Sequence, residues 1–313
     1  MAPENDSSVT EFILLGLTQQ PELQLPLFFI FLAIYVVTVV GDIGLILLTG
    51  LNSHLHTPMY YFLFNLSFID LCYSSVFAPK MLMNYVFRKN TISFVGCMTQ
   101  LFFFLYFFTF FGISECYVLT SMAYDRYVAI CSPLLYNAAM SPKVCSSLML
   151  ISYLMAFLDA MTLIGGMLRL TFCDANTINH YLCDTYPLLQ LSCTSTYILE
   201  LEIIIVSGIN IILPSLTIFV SYGLILSNIL HISSTEGRSK AFSTCSSHII
   251  AVSLFFGSSA FVYLKPSSMP MNKGKFSSVF YTNVVPMMNP LIYNLRNKDV
   301  KLALRKVLRM VKF

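Results

Sequence analysis

Long apolar runs, repeated along the chain, constrain the fold of this sequence more than any other feature. A helix needs about 20 mainly apolar residues to cross the roughly 30 Å hydrocarbon core of a bilayer. Runs such as LFFFLYFFTFF (101–111) are apolar on every side, whereas membrane strands alternate polar and apolar residues. The sequence therefore predicts an all-α membrane protein, a seven-transmembrane helix bundle. The predicted spans are about 25–50, 58–82, 98–123, 143–167, 198–226, 242–264 and 276–295.

The scarcity of charge excludes several classes of protein. Charged residues make up 11% of the 313 residues, against about 25% in an ordinary soluble protein. Too few remain to cover a soluble enzyme or domain. The net charge of +3 is too small to indicate binding to nucleic acid. We therefore expect membrane lipids, and no nucleic acid, among the partners.

Charges outside the spans predict the orientation in the membrane. The segment before the first span holds four acidic residues and no Lys or Arg, whereas the tail after the seventh span holds seven basic residues. Basic flanks mark the cytoplasmic side. We expect an extracellular N-terminus at 1–24, a transmembrane domain at 25–295 and a cytoplasmic tail at 296–313. Asn5 begins a glycosylation sequon on the extracellular side.

The basic tail has a helical pattern of its own. Its apolar residues fall on one helical face, with basic residues around the others, which predicts a short amphipathic C-terminal helix on the inner leaflet. A frayed basic tail is the alternative. The apolar face consists of Val300, Leu304, Val307, Leu308 and Val311.

Nine cysteines divide into two groups. Five lie in or beside spans, where free Cys acts as a small apolar residue. The other four lie on the oxidising side and permit two disulfides, although sequence alone does not fix their pairing. These four are Cys97, Cys173, Cys183 and Cys193.

Acidic residues inside the spans need an explanation, because no Lys or Arg lies at matching depth. Asp42, Asp70, Glu115 and Asp159 lie in spans one to four. Asp70 and Glu115 are expected to lie together, with a sodium ion or a shared proton between them. The alternative is a protonated, hydrogen-bonded pair without an ion.

Three further features are weak when taken singly. Arg126, after Asp125 at the inner end of span three, is either a membrane-surface anchor or a switch held by Asp125. Asn289-Pro290 predicts a kink in span seven. His248 has no second His at metal-binding spacing, and no catalytic motif is visible. We therefore expect neither an enzyme nor a metal site.

Taken together and in order, five motifs resemble those of the rhodopsin-like G-protein-coupled receptors, and within them the vertebrate olfactory receptors. The resemblance covers essentially the whole chain. The motifs are LHTPMYYFLFNLSFIDLCY (55–73), SMAYDRYVAIC (121–131), SY (221–222), KAFSTCSSH (240–248) and PMMNPLIYNLRN (286–297).

The resemblance implies a plasma-membrane odorant receptor without a cofactor, apart from a possible bound sodium ion. Such a receptor binds a small-molecule odorant and activates a heterotrimeric G protein of the stimulatory olfactory type, which raises cyclic AMP. The resemblance also implies the disulfide pairs Cys97–Cys183 and Cys173–Cys193.

The resemblance likewise assigns an ion site and a switch. The ion site falls on Asp70 and Glu115, and Asp42 adds a third acid where the family usually has Asn. The switch and the G-protein contacts fall on Asp125, Arg126, Tyr222, Arg238, Lys240, His248, Asn289, Pro290 and Tyr293.

The stretch from Cys97 to Glu115 is about one helical turn, roughly 3.6 residues, longer than is usual in this family. The extra residues either lengthen span three or force a bulge.

A ligand pocket is expected in the outer half of the bundle, between spans three, five, six and seven. Its predicted wall is apolar with a few hydroxyl groups and no fixed charge, which suits a neutral, mostly apolar ligand. Ligand contact with Phe256 and Tyr263 would shift the inner end of span six and release Arg126 from Asp125. The predicted lining is Phe108, Thr109, Gly112, Ile113, Ser207, Gly208, Ile211, Phe256, Ser259, Tyr263 and Tyr281.

Three other functions were weighed. A cation channel or transporter would explain the buried acids but predicts internal repeats, and none is visible. A membrane enzyme lacks a catalytic set. A receptor of the same class used outside the nose stays open, as do the ligand's identity, the basal activity and the oligomeric state.

Overall fold

Long helices dominate the structure, a computed structural model that describes residues 10–15, 20–86, 91–172, 177–178, 180, 182–231, 234–263, 279–296 and 300. Two short helices lie between them, α4 (Tyr136–Ala139) and α6 (Thr185–Leu189). The long helices are α1 (Pro21–Leu51), α2 (Pro58–Val86), α3 (Phe94–Cys131), α5 (Pro142–Met167), α7 (Tyr197–Leu230), α8 (Thr235–Tyr263) and a π-helical turn (Phe280–Val284) that continues into α9 (Val285–Arg296).

Each of the seven predicted spans is helical wherever the structure describes it, which confirms the predicted fold class. Five of the described helices, namely α1, α2, α3, α5 and α7, are long and apolar enough to cross a membrane by themselves. In α8 the apolar part is shorter, Cys245–Ala260, because the helix begins with the polar turn TEGRSK. The seventh predicted span corresponds to the π-helical turn and α9. From this point, the term seventh span denotes the described residues 279–296.

The outer surface of the bundle is apolar. Large aliphatic and aromatic side chains point away from the protein on most long helices; Val40, Ile204 and Phe219, for example, are 66%, 67% and 78% exposed. A soluble protein rarely exposes such continuous apolar surface, whereas a lipid bilayer solvates it. The chain is therefore a multi-pass membrane protein.

Helix α3 lies at the centre of the bundle and packs against α2, α5, α7 and α8. The Ser93 hydroxyl begins it by accepting a hydrogen bond from the Gly96 N–H, at 3.1 Å. From there α3 runs 38 residues without interruption. The long stretch between Cys97 and Glu115 therefore lengthens the helix and forms no bulge.

Small residues let the helices approach closely at two points. An ideal Cβ on Gly41 of α1 would lie 2.9 Å from Pro290 Cβ on α9. On Gly166 of α5 it would lie 2.6 Å from Leu199 Cδ1 on α7. Membrane helices associate through such close packing contacts, because the hydrophobic effect does not drive them together in lipid.

A small sheet closes one end of the bundle. Strand β1 (Glu11–Leu14) pairs antiparallel with β2 (Thr91–Ser93) and parallel with β3 (Thr177–Ile178), so β1 is the central strand. Phe12 is fully buried and stacks on Phe94, with ring centroids 6.0 Å apart. We call this sheet the cap, and we call this end of the bundle the capped end. The opposite end carries Arg126.

A disulfide joins Cys97, in the first turn of α3, to Cys183, just before α6. This pair agrees with the one that the resemblance implied. Cys193 is also disulfide-bonded, but Cys173 lies outside the described residues, so the Cys173–Cys193 pair stays a prediction. Asn5 and all of the predicted tail helix except Val300 also lie outside them.

Candidate ligand site and switch

A partly enclosed cavity of about 50 Å³ lies between α3, α5, α7, α8 and the seventh span, toward the capped end. The lining residues on α3 follow helical spacing, since Phe108, Gly112 and Cys116 lie one turn apart. No charged side chain lines it among the residues that the structure describes. The lining is Phe108, Thr109, Gly112, Ile113, Cys116, Leu163, Val206, Ser207, Asn210, Ile211, Ser259 and Tyr281.

Eight of the eleven predicted pocket residues line this cavity, including all four on α3. Gly208 does not, because it lies beside Ser207 on the helix surface and an added Cβ would meet nothing within 4 Å. Phe256 is also absent from the lining and only half-buried; its neighbour Phe255 points inward and is fully buried. The Tyr263 side chain lies outside the described part of the structure.

Four lining residues were missed: Cys116, Leu163, Val206 and Asn210. Stepping along α3 from Arg126 toward the capped end by helical turns passes through Cys116 before it reaches Gly112, so periodicity also indicates Cys116. Asn210 could also be predicted, because it is a polar amide inside an apolar span. Hydropathy gives no sign that Leu163 on α5 reaches the cavity.

Tyr281 connects the cavity to three helices. Its ring centroid lies 5.8 Å from that of Phe108 on α3, 6.1 Å from that of Tyr73 on α2 and 5.6 Å from that of Phe255 on α8. An ideal Cβ on Gly112 would lie 3.1 Å from the Tyr281 hydroxyl oxygen, so the glycine leaves room for it. Tyr281 belongs to the π-helical turn, and such turns often occur at functional sites.

A polar pair borders the cavity on α7. The Asn210 side-chain amide donates hydrogen bonds to Asp159 Oδ2 on α5, at 3.0 Å, and to the Val206 carbonyl, at 2.8 Å. Asp159 thus has a hydrogen-bond partner inside the membrane, as expected for an acidic residue within a span. Asn210 is 4% exposed.

A second set of polar side chains lies deeper in the bundle. The Asn289 amide donates to Asp70 Oδ2 and to Glu115 Oε1, each at 3.0 Å, and so bridges the two acids. All three side chains are buried. Asp70 and Glu115 therefore lie close together, as expected, and the Asn289 amide lies between them.

Asp42 does not share this bridge. It is fully buried on α1, where Ser67 of α2 is the polar side chain beside it. Nor do these acids come close enough together to form a three-residue metal-binding group in the described part of the chain.

The Arg126 end has a different pairing from the one expected. Asp125 accepts a hydrogen bond from the Tyr136 hydroxyl on α4, at 2.8 Å, and no ion pair between Asp125 and Arg126 is present in the described structure. The Arg126 guanidinium instead donates to the sulfur of Met59 on α2. Neighbouring residues of a helix point in different directions, which separates Asp125 from Arg126.

The other predicted switch residues lie around this end. The Tyr222 hydroxyl and His248 Nδ1 are hydrogen bonded at 2.5 Å, which links α7 to α8. Tyr293 is buried, and its hydroxyl has no partner among the described residues. Pro290 packs against Gly41. Arg238 lies in the first turn of α8, and the side chain of Lys240 is not described.

A larger groove, of about 380 Å³, lies between α3 and α7 toward the Arg126 end. It opens sideways, where lipid would fill it, and does not enter the bundle. The smaller cavity is more enclosed than the groove and is therefore the better candidate for a selective ligand site. The groove is lined by Tyr124, Tyr127, Leu216, Thr217, Val220, Ser221 and Leu224.

Comparison with known proteins agrees with this architecture. A sequence model of the family described as "Olfactory receptor" matches residues 31–311. The chain is 71% identical to human (Homo sapiens) Olfactory receptor 8B3, over 98% of this chain and 97% of that protein. It is 70% identical to mouse (Mus musculus) Olfactory receptor 8B3, over 98% and 96%, and 66% identical to human Olfactory receptor 8B8, over 98% of each.

The family match covers nearly the whole chain, and the relatives match over nearly their full length. Every helix of the bundle therefore lies within the matched region. The ordered motifs predicted the same assignment. The chain belongs to the olfactory receptor family.

Proposed function

We propose that this receptor binds a small, neutral, mostly apolar odorant in the partly enclosed cavity and activates a stimulatory, olfactory-type G protein that raises cyclic AMP. As a member of a receptor family the chain is not an enzyme. The observation that carries the proposal is the described lining of the cavity, whose residues are apolar with a few polar groups and without charge. A charged ligand would lack a counter-ion there.

The cavity must widen when a ligand binds. Its volume of about 50 Å³ is well below the roughly 300–1,000 Å³ of sites that hold organic ligands. Tyr281 and Phe108 form its aromatic wall, and Tyr281 also touches Phe255 on α8. A ligand that displaces Tyr281 would therefore press on α8.

Movement of α8 would reach the Arg126 end through His248. Phe255 and His248 lie two turns apart on α8, and His248 holds Tyr222 on α7. If the inner end of α8 moves outward, this hydrogen bond lengthens and a space opens beside Arg126. We propose that the C-terminal helix of the G protein enters there, with Arg238 and Lys240 at the rim. This route replaces the one through Phe256.

A sodium ion or a shared proton is proposed for Asp70 and Glu115. The two carboxyl groups are bridged by Asn289, and Asp70 Oδ1 has no described partner, so a hard oxygen ligand is available for a cation. Asp70→Asn and Glu115→Gln should change the sodium sensitivity of activation. Identical salt responses in the variants and the wild type would favour the protonated pair.

The proposed orientation places the cap outside the cell and the Arg126 end inside, at the plasma membrane. An epitope placed before residue 10 should then be labelled on intact cells, and one placed after residue 313 only after permeabilisation. The reverse pattern would contradict the orientation and, with it, the G-protein contact at Arg126.

The proposed function is tested in cells that express the full chain with a cyclic AMP reporter and are exposed to a chemically diverse odorant panel. At least one neutral odorant should raise cyclic AMP. Arg126→Ala should abolish that response while surface expression is retained. Normal signalling by this variant would remove Arg126 from the switch.

A further inference from the structure

One polar atom in the wall of the cavity lacks a partner. Asn210 Oδ1 is buried, and no group in the described part of the chain donates a hydrogen bond to it. Buried polar atoms in native proteins are normally paired, and exceptions call for a functional explanation. Asn210 itself lines the cavity, so a ligand is the natural candidate for the missing donor.

The orientation of the Asn210 amide is fixed by its neighbours. Its nitrogen faces two acceptors, Asp159 Oδ2 at 3.0 Å and the Val206 carbonyl at 2.8 Å. An amide nitrogen has two hydrogens, and both are used here. A flipped amide would set its oxygen against the Val206 carbonyl, which cannot donate. Asp159, on the neighbouring helix, is therefore a positioning residue that keeps the Asn210 oxygen available.

We propose that Asn210 makes this receptor selective for odorants with a hydroxyl group, such as alcohols and phenols, by accepting a hydrogen bond from them. The inference rests on the proposed function, since it assumes that odorants bind in this cavity. The ligand hydroxyl would lie at Asn210 and its carbon skeleton against Phe108 and Tyr281, once the cavity widens and uncovers Oδ1.

The chemistry of the Asn210 oxygen explains why a hydroxyl is preferred to other polar groups beside it. An ether or aldehyde oxygen can only accept, so beside Asn210 it would leave two acceptors facing each other. A cationic amine would need a counter-ion, and Asp159 does not line the cavity. The Ser259 hydroxyl already donates to the Phe255 carbonyl, at 2.9 Å, and is thus no substitute donor for Asn210.

The test uses probes that share a carbon skeleton and differ in the polar group: 1-octanol, octanal and methyl octyl ether, and 2-phenylethanol, phenylacetaldehyde and methyl 2-phenylethyl ether. Cyclic AMP dose–response curves are recorded in cells that express the full chain. The wild type should respond to an alcohol at a concentration at least tenfold lower than to its ether or aldehyde.

Asn210→Leu keeps the size of the side chain and removes the acceptor, so the preference for alcohols should disappear. Asn228→Leu is the matched control, because Asn228 lies on the same helix, outside the cavity, and is exposed. The ratio of its half-maximal effective concentrations for the alcohol and the ether should equal that of the wild type. Surface labelling of each variant accompanies the curves. If Asn210→Leu does not reach the surface, Asn210→Ala serves instead, because it also removes the acceptor, and the alcohol preference should again disappear.

The outcomes separate this inference from the proposed function. A wild type that responds equally to ethers or aldehydes, or an Asn210→Leu variant that keeps the alcohol preference, would overturn the role of Asn210 and leave odorant sensing intact. Silence of a surface-expressed wild type toward these probes and the whole odorant panel would count against both. Loss of the preference in Asn210→Leu but not in Asn228→Leu supports the inference.

Discussion

Replacing Gly41 by Ala should loosen the contact between α1 and the seventh span. The added Cβ would lie 2.9 Å from Cβ and 3.1 Å from Cγ of Pro290. Carbon atoms in contact are normally about 3.5–4.0 Å apart. The proline ring is tied to its own backbone and cannot rotate away, so the two helices must separate by about 0.6 Å or more.

The magnitude follows from a comparison with Gly44, one turn along the same helix. A Cβ on Gly44 would meet nothing within 4 Å. Both substitutions gain about 1 kcal/mol of helix propensity, but only Gly41→Ala has the cost of overpacking, typically about 1–3 kcal/mol. The difference in unfolding free energy between the variants should therefore be about 1–3 kcal/mol.

The apparent melting temperature of the purified, detergent-solubilised receptor measures this difference. For a chain of this size we expect Gly41→Ala to melt roughly 2–6 °C below Gly44→Ala. Size-exclusion chromatography after stepwise heating provides the readout. Equal melting temperatures for the two variants would show that α1 and α9 do not approach as closely as described, and would refute the reasoning.

Three further substitutions test other contacts. Gly112→Ala would bring a methyl group to the Tyr281 hydroxyl, at 3.1 Å, and should weaken odorant potency about tenfold in the cyclic AMP assay; unchanged potency would separate Tyr281 from the ligand site. Tyr136→Phe removes the hydroxyl that donates to Asp125 and should lower the unfolding free energy by about 1.5–3 kcal/mol, measured by thermal melting; an unaltered melting curve would contradict that bond. Phe12→Ser opens the buried centre of the cap and should speed limited proteolysis of the N-terminal segment, whereas wild-type cleavage rates would show that the cap is not packed.

The spans and the α3 face of the cavity could be predicted because both follow from periodicity. Apolar length identifies a membrane helix, and stepping along α3 from Arg126 by helical turns leads to Ile113, Gly112, Thr109 and Phe108, all of which line the cavity. The same periodicity fails where the starting angle is unknown. On α8 the prediction named Phe256, whereas the fully buried side chain is that of Phe255, one residue away and about 100° around the helix.

Other features depend on contacts that a single sequence does not contain. Leu163 reaches the cavity because α5 packs beside α3 and α7, and hydropathy does not specify neighbours. Tyr136 holds Asp125 from a short helix after α3, while adjacency in sequence suggested Arg126. The cap strands have two to four residues each, too short for an alternating pattern to be recognised.

The cap has a consequence for biosynthesis. Its central strand, β1, emerges from the ribosome first, but β2 follows α2 and β3 follows α5. The N-terminal strand can therefore pair with β2 only after α2 has been made, and Ile13 can meet Thr177 of β3 only after the fourth long helix, α5. Pairing between segments so distant in the chain is slow to form. The complete cap can thus form only once the first four long helices have been synthesised, so its last strand pairing comes late in the assembly of the bundle.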